Sequence, residues 1–339
     1  MSKVKVSTIL PTYNRANILG RAIESVLVQQ EKDDELIVID DGSTDNTREV
    51  AAKYGDQIKY VRTANQGAGK ARNLGLKIAQ NDLLAFLDSD DEWMPGKLKL
   101  QRAFMEACPD VIFCFSDLAY SGPDGQTDRF TLKNWYKGWP HLNEILALIG
   151  KYSDFAELPE NTEDFDCFKG SLYVAELSAN YVNVNTLMAH RKGMANDVYF
   201  AEDLPTYEDW EFFGRLARQG QTAFLQCETA WQHGHHGPRL TDAGRLKMAE
   251  ARIKIIERVW GNDADFLKNH HKLYKNILSS QYLIAAHRLI ASGRSKEARA
   301  MLHKAGSAPY SYRLLAALPG PLLKPLFSLK RYLFRSRRE

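Results

Sequence analysis

Asp88, Ser89 and Asp90 follow an apolar run at residues 83–87, and Trp93 stands just beyond. Two carboxylates at i and i+2 on a turn after a strand can reach one hard divalent cation. Mg2+ or Mn2+ accepts such oxygens and completes its shell with substrate phosphates. Asp91 and Glu92 add two more acids, a cluster that is costly to bury without a cation. The competing reading is a solvated acidic turn, which an isolated pair at this spacing more often is. Asp40-Asp41-Gly42-Ser43 closes a second apolar run, residues 35–39. A carboxylate there accepts hydrogen bonds from a nucleobase or ribose, or closes an Asx turn onto the next helix. Gln66-Gly67-Ala68-Gly69-Lys70-Ala71-Arg72-Asn73 puts glycines at a helix start, where backbone N–H groups favour an anion. Arg72, on the first turn, can reach a phosphate or base. The spacing is neither GxxxxGK[ST] nor a full GxGxxG, and it follows the third strand rather than the first. P-loop and NAD-type binding are therefore disfavoured. His233, His235 and His236 crowd Gly234 and Gly237 ahead of Pro238-Arg239-Leu240-Thr241, and an imidazole there can complete a metal shell.

The elements that carry these residues alternate. Strand-like runs at 4–10, 35–39, 58–62 and 83–87 are separated by helical spacing at 16–30, 45–54 and 69–79, with Asp45 as a candidate cap. Such β-α-β alternation predicts an α/β, mostly parallel, doubly wound sheet with flanking helices. A fifth strand is expected at 111–116. The polar clusters at Thr12-Tyr13-Asn14, Asp40-Asp41 and Asp88–Asp91 all sit just after strands. In an open α/β sheet that places them at one crevice. The pattern weakens over about 120–200, read as an insertion that shapes the acceptor side. A helix at 207–219, a strand at 222–225 and helices at 243–260, 264–292 and 295–305 follow, the last capped by Ser295. The expected division is a nucleotide-binding and catalytic domain at 1–240 and a helical region at 241–339.

The chain has 339 residues, 44% hydrophobic and 26% charged, which excludes collagen-like, low-complexity and wholly disordered classes. Its four cysteines are dispersed, with no CxxC pair, so neither a zinc ribbon nor a disulfide framework is expected. A reducing, cytoplasmic setting follows. Residues 1–5 lead into a strand with no apolar leader, so no signal peptide is expected. The net charge of +3 hides an acidic stretch at 151–211 (net −9) and a basic one at 239–339 (net +14). Leu326, Leu329 and Leu333 share a helical face with Phe327 and Phe334, interleaved with Lys330, Arg331, Arg335, Arg337 and Arg338. That pattern suits peripheral contact with an anionic membrane surface; the alternative is a tail packed on the protein. Nucleic acid is not an expected partner, because charge is unaccompanied by any recognition motif.

Pro11-Thr12-Tyr13-Asn14-Arg15, Ser25-Val26-Leu27-Val28-Gln29, Asp40-Asp41-Gly42-Ser43-Thr44-Asp45, Asn65-Gln66-Gly67, Ala71-Arg72-Asn73 and Phe86-Leu87-Asp88-Ser89-Asp90-Asp91 recur here in a familiar order and spacing. Over residues 6–94 they resemble the family 2 glycosyltransferases. The resemblance implies a GT-A (Rossmann-like) fold with a helical C-terminal region, a nucleotide-sugar donor, usually UDP-linked, a divalent Mn2+ or Mg2+, and inversion at the anomeric carbon. It implies that Pro11, Thr12 and Tyr13 line the nucleobase pocket, with Tyr13 stacking. Asp40 or Asp41 binds uracil or ribose, and Asn65 and Arg72 contact the nucleotide. Arg15, Gly67 and Ser89 lie inside the matching motifs and join the donor-binding set. Asp88 holds ribose or metal and Asp90 the metal. A base must take the acceptor proton, and the family often places it in a Glu-Asp pair opening a downstream helix. Glu208-Asp209 before Trp210 resembles that element, with Asp209 as the base; Glu202-Asp203 is its rival. His235 or His236 would complete the metal site, and Arg239 would hold a phosphate.

The expected function is inverting, metal-dependent transfer of a sugar to a hydroxyl-bearing glycan or lipid-linked acceptor, in cell-surface polysaccharide or glycolipid assembly. Two rivals come from other classes. A sugar nucleotidyltransferase would carry a Gly-rich basic loop after its first strand, where Pro11-Thr12-Tyr13-Asn14 stands. A non-catalytic nucleotide-sugar-binding module would have no use for intact Asp88, Asp90 and Asp209.

Overall fold

The computed structural model describes residues 4–135, 142–160, 162–195, 198–234, 244–306 and 309–319. Among them, β1 (Val6–Thr12), β2 (Glu35–Asp40), β3 (Lys59–Arg62) and β4 (Leu83–Phe86) begin the sheet. β5 (Glu92–Trp93), β6 (Val111–Ser121), β7 (Thr127–Asp128), β8 (Leu146–Lys151), β9 (Asp166–Gly170), β10 (Met188–His190) and β11 (Gln221–His233) complete it. The order is β3-β2-β1-β4-β10-β6-β11-β9-β8, with β5 on β11 and β7 on β6. β1 to β4 are parallel, with a helix carrying each crossover; β1, β2 and β4 are buried on both faces, while β3 (Lys-Tyr-Val-Arg) is the half-exposed outer strand. Ile9, Leu10, Ile37, Ile39 and Phe86 are fully buried. The first crossover helix, Leu19–Leu27, buries Leu19, Ala22, Ile23 and Val26, the i, i+3, i+4, i+7 stripe its sequence encodes. The helix Ala68–Ile78 approaches β1 closely: a Cβ on Gly75 would stand 2.4 Å from Ile9 Cγ2.

Three features depart from expectation. β6 and β11 run on past the anticipated ends at 116 and 225, to Ser121 and His233. In β11 this continuation passes register shifts between Leu225 and Trp231, where polar Gln226 and Glu228 interrupt the apolar run that marks a strand. The described residues of 120–200, where no strand was expected, are part of the sheet. They supply β7 to β10, and β10 wedges antiparallel between β4 and β6. Ser295 is not a cap: it lies inside the helix Ser295–Ala305, and its hydroxyl donates to the Leu318 carbonyl at 2.8 Å.

The chain divides into two compact units, Met1–Glu202 with Glu208–Gly237, and Asp203–Tyr207 with Pro238–Glu339. The second unit is helical, with Arg245–Val259, Ala264–Ala291, Ser295–Ala305 and Tyr310–Ala317. Tyr282, Ala285, Ala286, Leu289, Ile290, Ala298 and Leu302 form its core. Asp263 caps the long helix by accepting the Phe266 N–H at 2.9 Å. No helix among the described residues is long and apolar enough to cross a membrane.

Candidate active site

Asp88 to Asp91 leave β4 as a turn closed by the Asp91 N–H donating to the Asp88 carbonyl at 3.0 Å. Asn185 shapes it from behind. Its Oδ1 accepts the Asp88 N–H at 2.8 Å, its Nδ2 donates to Asp91 Oδ2 at 2.6 Å, and its carbonyl accepts Trp93 Nε1 at 2.9 Å. Asp91 faces inward and also accepts the His233 N–H at 2.8 Å. Burial, then Asp90 and Asp88, hold its carboxyl well above the usual range. Glu92 lies 3.5 Å from Arg21 and 3.3 Å from the His233 imidazole. That leaves Asp88 and Asp90, with side chains 31% and 23% exposed, facing outward. Arg15 Nη2 stands 3.4 Å from Asp90 Oδ2, and Ser89 is buried between the two acids. Asn185→Ala should strand a buried Asp91 oxygen and a backbone N–H. We expect a stability loss of about 2–3 kcal/mol, read as a lower urea midpoint; an unchanged midpoint would remove Asn185 from this role.

Arg72 is the centre of the second group. Its Nη2 donates to Asp88 at 2.6 Å, its Nη1 to Glu208 at 2.9 Å, and its guanidinium lies 5.2 Å from the Phe200 ring centre. Burial would lower its pKa, but Asp88 and Glu208 outweigh burial and raise it. Phe200 and Phe212 stack at 4.0 Å with Phe86 edge-on to both, so the bridge sits on an aromatic floor. The helix Glu208–Ala217 begins here. Asp209 accepts its neighbour Trp210's N–H at 2.8 Å. Burial and the adjacent Glu208 push its carboxyl up to about 7, against the pull of Arg72. The rival acids are differently placed. Asp203 pairs with Arg258 at 2.9 Å, and that bond holds its carboxyl below the usual range. Glu202 accepts from Asn73 at 3.0 Å.

The donor-side residues gather at the carboxyl ends of β1 to β3. Pro11 and Thr12 are buried, and Thr12 Oγ1 has no partner among the described residues. Tyr13 is 44% exposed, a ring free to stack. The Asn14 N–H donates to Ser43 Oγ at 2.9 Å and its Oδ1 accepts the Thr44 N–H at 2.7 Å, tying the two loops together. Asp41 accepts the Gln66 and Gly67 N–H groups at 2.8 and 2.7 Å, and so holds the loop bearing exposed Asn65. Gly42, at φ +78°, allows this: a Cβ there would stand 2.7 Å from the Asn65 nitrogen.

Several expected roles are redistributed. Asp40 is wholly buried and spent on the Ser43 N–H, the Tyr60 hydroxyl and Arg62, so of the two candidate acids it is the turn-former. Arg72 and Glu208 are committed to each other and to Asp88 rather than open to a nucleotide or acceptor. His235, His236 and Arg239, expected at the metal and phosphate, lie outside the described residues, as does the basic tail. Among the described residues no three His, Cys, Asp or Glu side chains gather as metal ligands. The outward pair Asp88 and Asp90 still fits Mg2+ or Mn2+, which takes one or two carboxylates and leaves the remaining positions to water and phosphate. Asn185 and Glu176 were not foreseen. Glu176 is fully buried behind the base helix, its carbonyl accepting Trp210 Nε1 at 2.8 Å and its Oε1 the Tyr181 N–H at 2.9 Å. Burial holds its carboxyl well above the usual range. Neither residue sits in a motif; only the fold brings them in.

The model of the family described as glycosyl transferase family 2 matches residues 7–169. A Rickettsia conorii protein named as an uncharacterized glycosyltransferase is 44% identical over 122 residues, 35% of this chain and 20% of that protein. TuaG of Bacillus subtilis, named for teichuronic acid biosynthesis, is 39% identical over 135 residues, 38% of this chain and 52% of its own length. The chain thus matches between a fifth and about half of these relatives. The structure of S. aureus TarS 1-349 in complex with UDP-GlcNAc superposes with a TM-score of 0.57 at 20% identity, covering 92% of this chain and 90% of that one. That likeness shows a GT-A-type fold. The match begins one residue into β1 and takes in Asp40, Asp41, Arg72, Asp88 and Asp90, so the sheet's first half and its acid motifs are what this chain shares with the glycosyl transferase family 2 model.

Proposed function

We propose that this protein is an inverting glycosyltransferase moving a sugar from a nucleotide donor, UDP-linked, to a hydroxyl of a glycan or lipid-linked acceptor. The observation that carries the reading is where Asp209 stands: at the start of the helix Glu208–Ala217, beside the Glu208–Arg72–Asp88 bridge to the acid turn, where burial and Glu208 raise its carboxyl. TarS was solved with UDP-GlcNAc and with UDP, and TuaG is named for a cell-wall polymer, which supports the donor and a role in cell-surface polysaccharide or glycolipid assembly.

Tyr13, Asp41 and Asn65 hold the base and ribose. Asp209 takes the acceptor proton while the acceptor oxygen attacks the anomeric carbon. That bond forms as the bond to the diphosphate breaks on the opposite face, and the nucleoside diphosphate leaves with the electron pair. A divalent cation held by Asp90 and Asp88 would supply charge neutralisation for that leaving group. Residues 1–240 form the catalytic part and 241–339 a helical part whose basic tail rests on the cytoplasmic membrane face.

The test is a thermal-shift screen of nucleotide sugars with Mn2+, followed by product analysis. Binding by mass action raises the melting temperature, and release of a nucleoside diphosphate supports transfer. Pyrophosphate would instead identify a nucleotidyltransferase, and no turnover a binding module. In Asp90→Ala the Mn2+-dependent part of the shift should vanish; a full shift would take Asp90 out of the metal site.

A further inference from the structure

We propose that a cavity beside β11 is a subsite for one unit of a neutral oligosaccharide acceptor, so that acceptors are selected by length. This rests on the glycosyl-transfer reading above and names its acceptor class. The cavity has a volume of about 250 Å³ and is lined by Phe130, Lys133, Lys151, Asp164, Asp166 and Gln226. Phe130 is 39% exposed and adopts φ +50°. A bulky residue persists in that backbone region only where its surroundings hold it there. Here the hold is dense. The Phe130 N–H donates to Glu228 Oε1 at 2.6 Å, and Arg129 pairs with the same carboxylate. Thr131 Oγ1 donates to the Leu118 carbonyl at 2.8 Å, and the Leu132 and Lys133 N–H groups donate to buried Asp117 at 2.9 and 3.3 Å. The fold thus fixes residues 129–133 on β6 and β11 and leaves an apolar ring facing solvent.

A pyranose matches these surroundings, with one C–H face for the ring and a rim of hydroxyls. Among the described residues the Gln226 amide and the Lys133 ammonium have no hydrogen-bond partner, so both are available to that rim. Lys151 pairs with Asp166 at 2.8 Å, and two lysines balance two aspartates, which suits an uncharged unit over a phosphate or uronate.

Register gives the distance. Ala85 of β4 and Cys114 of β6 both pair with Met188 of β10. Three residues on from each stand Asp88 and Asp117, and Asp117 pairs with Glu228 of β11. Asp88 and Glu228 are therefore level across the sheet, three strand spacings or about 14 Å apart. More than one sugar unit spans that gap, so the unit in the cavity is not the one that receives the transferred sugar.

The full chain is to be tested against immobilised oligomers of glucose, galactose and N-acetylglucosamine from one to five units, with uronic-acid oligomers alongside. Binding should rise with length in a neutral series, and Phe130→Ala should weaken it roughly tenfold. Gln226→Ala, at a half-buried position, serves if the first variant misfolds. Binding unchanged in a folded variant, preference for the acidic series, or no binding overturns the proposal. Nucleoside diphosphate release by the unsubstituted chain is measured on the same preparation. Turnover without length-dependent binding rejects the subsite alone; absence of turnover rejects the reading beneath it.

Discussion

Asp209→Asn lowers the transfer rate by about 10²–10⁴-fold, the usual worth of a positioned general base, while the donor still raises the melting temperature. The amide is nearly isosteric and keeps the oxygen that accepts the Trp210 N–H, so folding is spared. The pH dependence follows from the same group. Its carboxyl is raised to about 7 by burial and Glu208, and only the ionised form takes a proton. The rate therefore climbs as pH rises through about 7 and flattens above it. In Asp209→Asn that limb disappears. A well-folded variant with full rate, or with the limb intact, would put the base elsewhere.

Arg72→Met should be the most destabilising single change in the site. The guanidinium is 5% exposed and joins a nearly buried carboxylate, Glu208, to the outward-facing one of Asp88. Removing one partner of a buried ion pair costs about 3–5 kcal/mol, because the remaining charge is left uncompensated. Asp88 is the more exposed of the two and contributes the smaller share. The sign with pH is definite: burial already raises the Asp88 carboxyl, and without Arg72 the deficit shrinks as pH falls and Asp88 takes up a proton. Arg72→Met combined with Glu208→Gln should recover part of the loss in chemical denaturation. A neutral Arg72→Met would mean that the bridge is ornamental.

The donor half was legible because its information is local. β2 and β4 are apolar runs, and each acid motif follows one of them directly. The second half was less legible because its information is distant. β10 is three residues long, Met188–His190, too short to carry a period. β11 continues through polar Gln226 and Glu228, which read as a stop. Arg72 was recognised as a site residue, but nothing in its neighbourhood shows that Glu208, 136 residues on, will claim it. Asn185 and Glu176 had no signal at all; each matters only through a partner supplied by packing.

The reliance of the acid turn on Asn185 has a temporal side. Asp91 precedes Asn185 by 94 residues. At synthesis rates of about 5–20 residues per second, the ribosome takes roughly 5–20 s to deliver the asparagine that completes the turn. β1 to β4 can pair before then, with the acids present but unshaped. A chain ending anywhere in that interval would carry all four acids and lack the asparagine that shapes their turn.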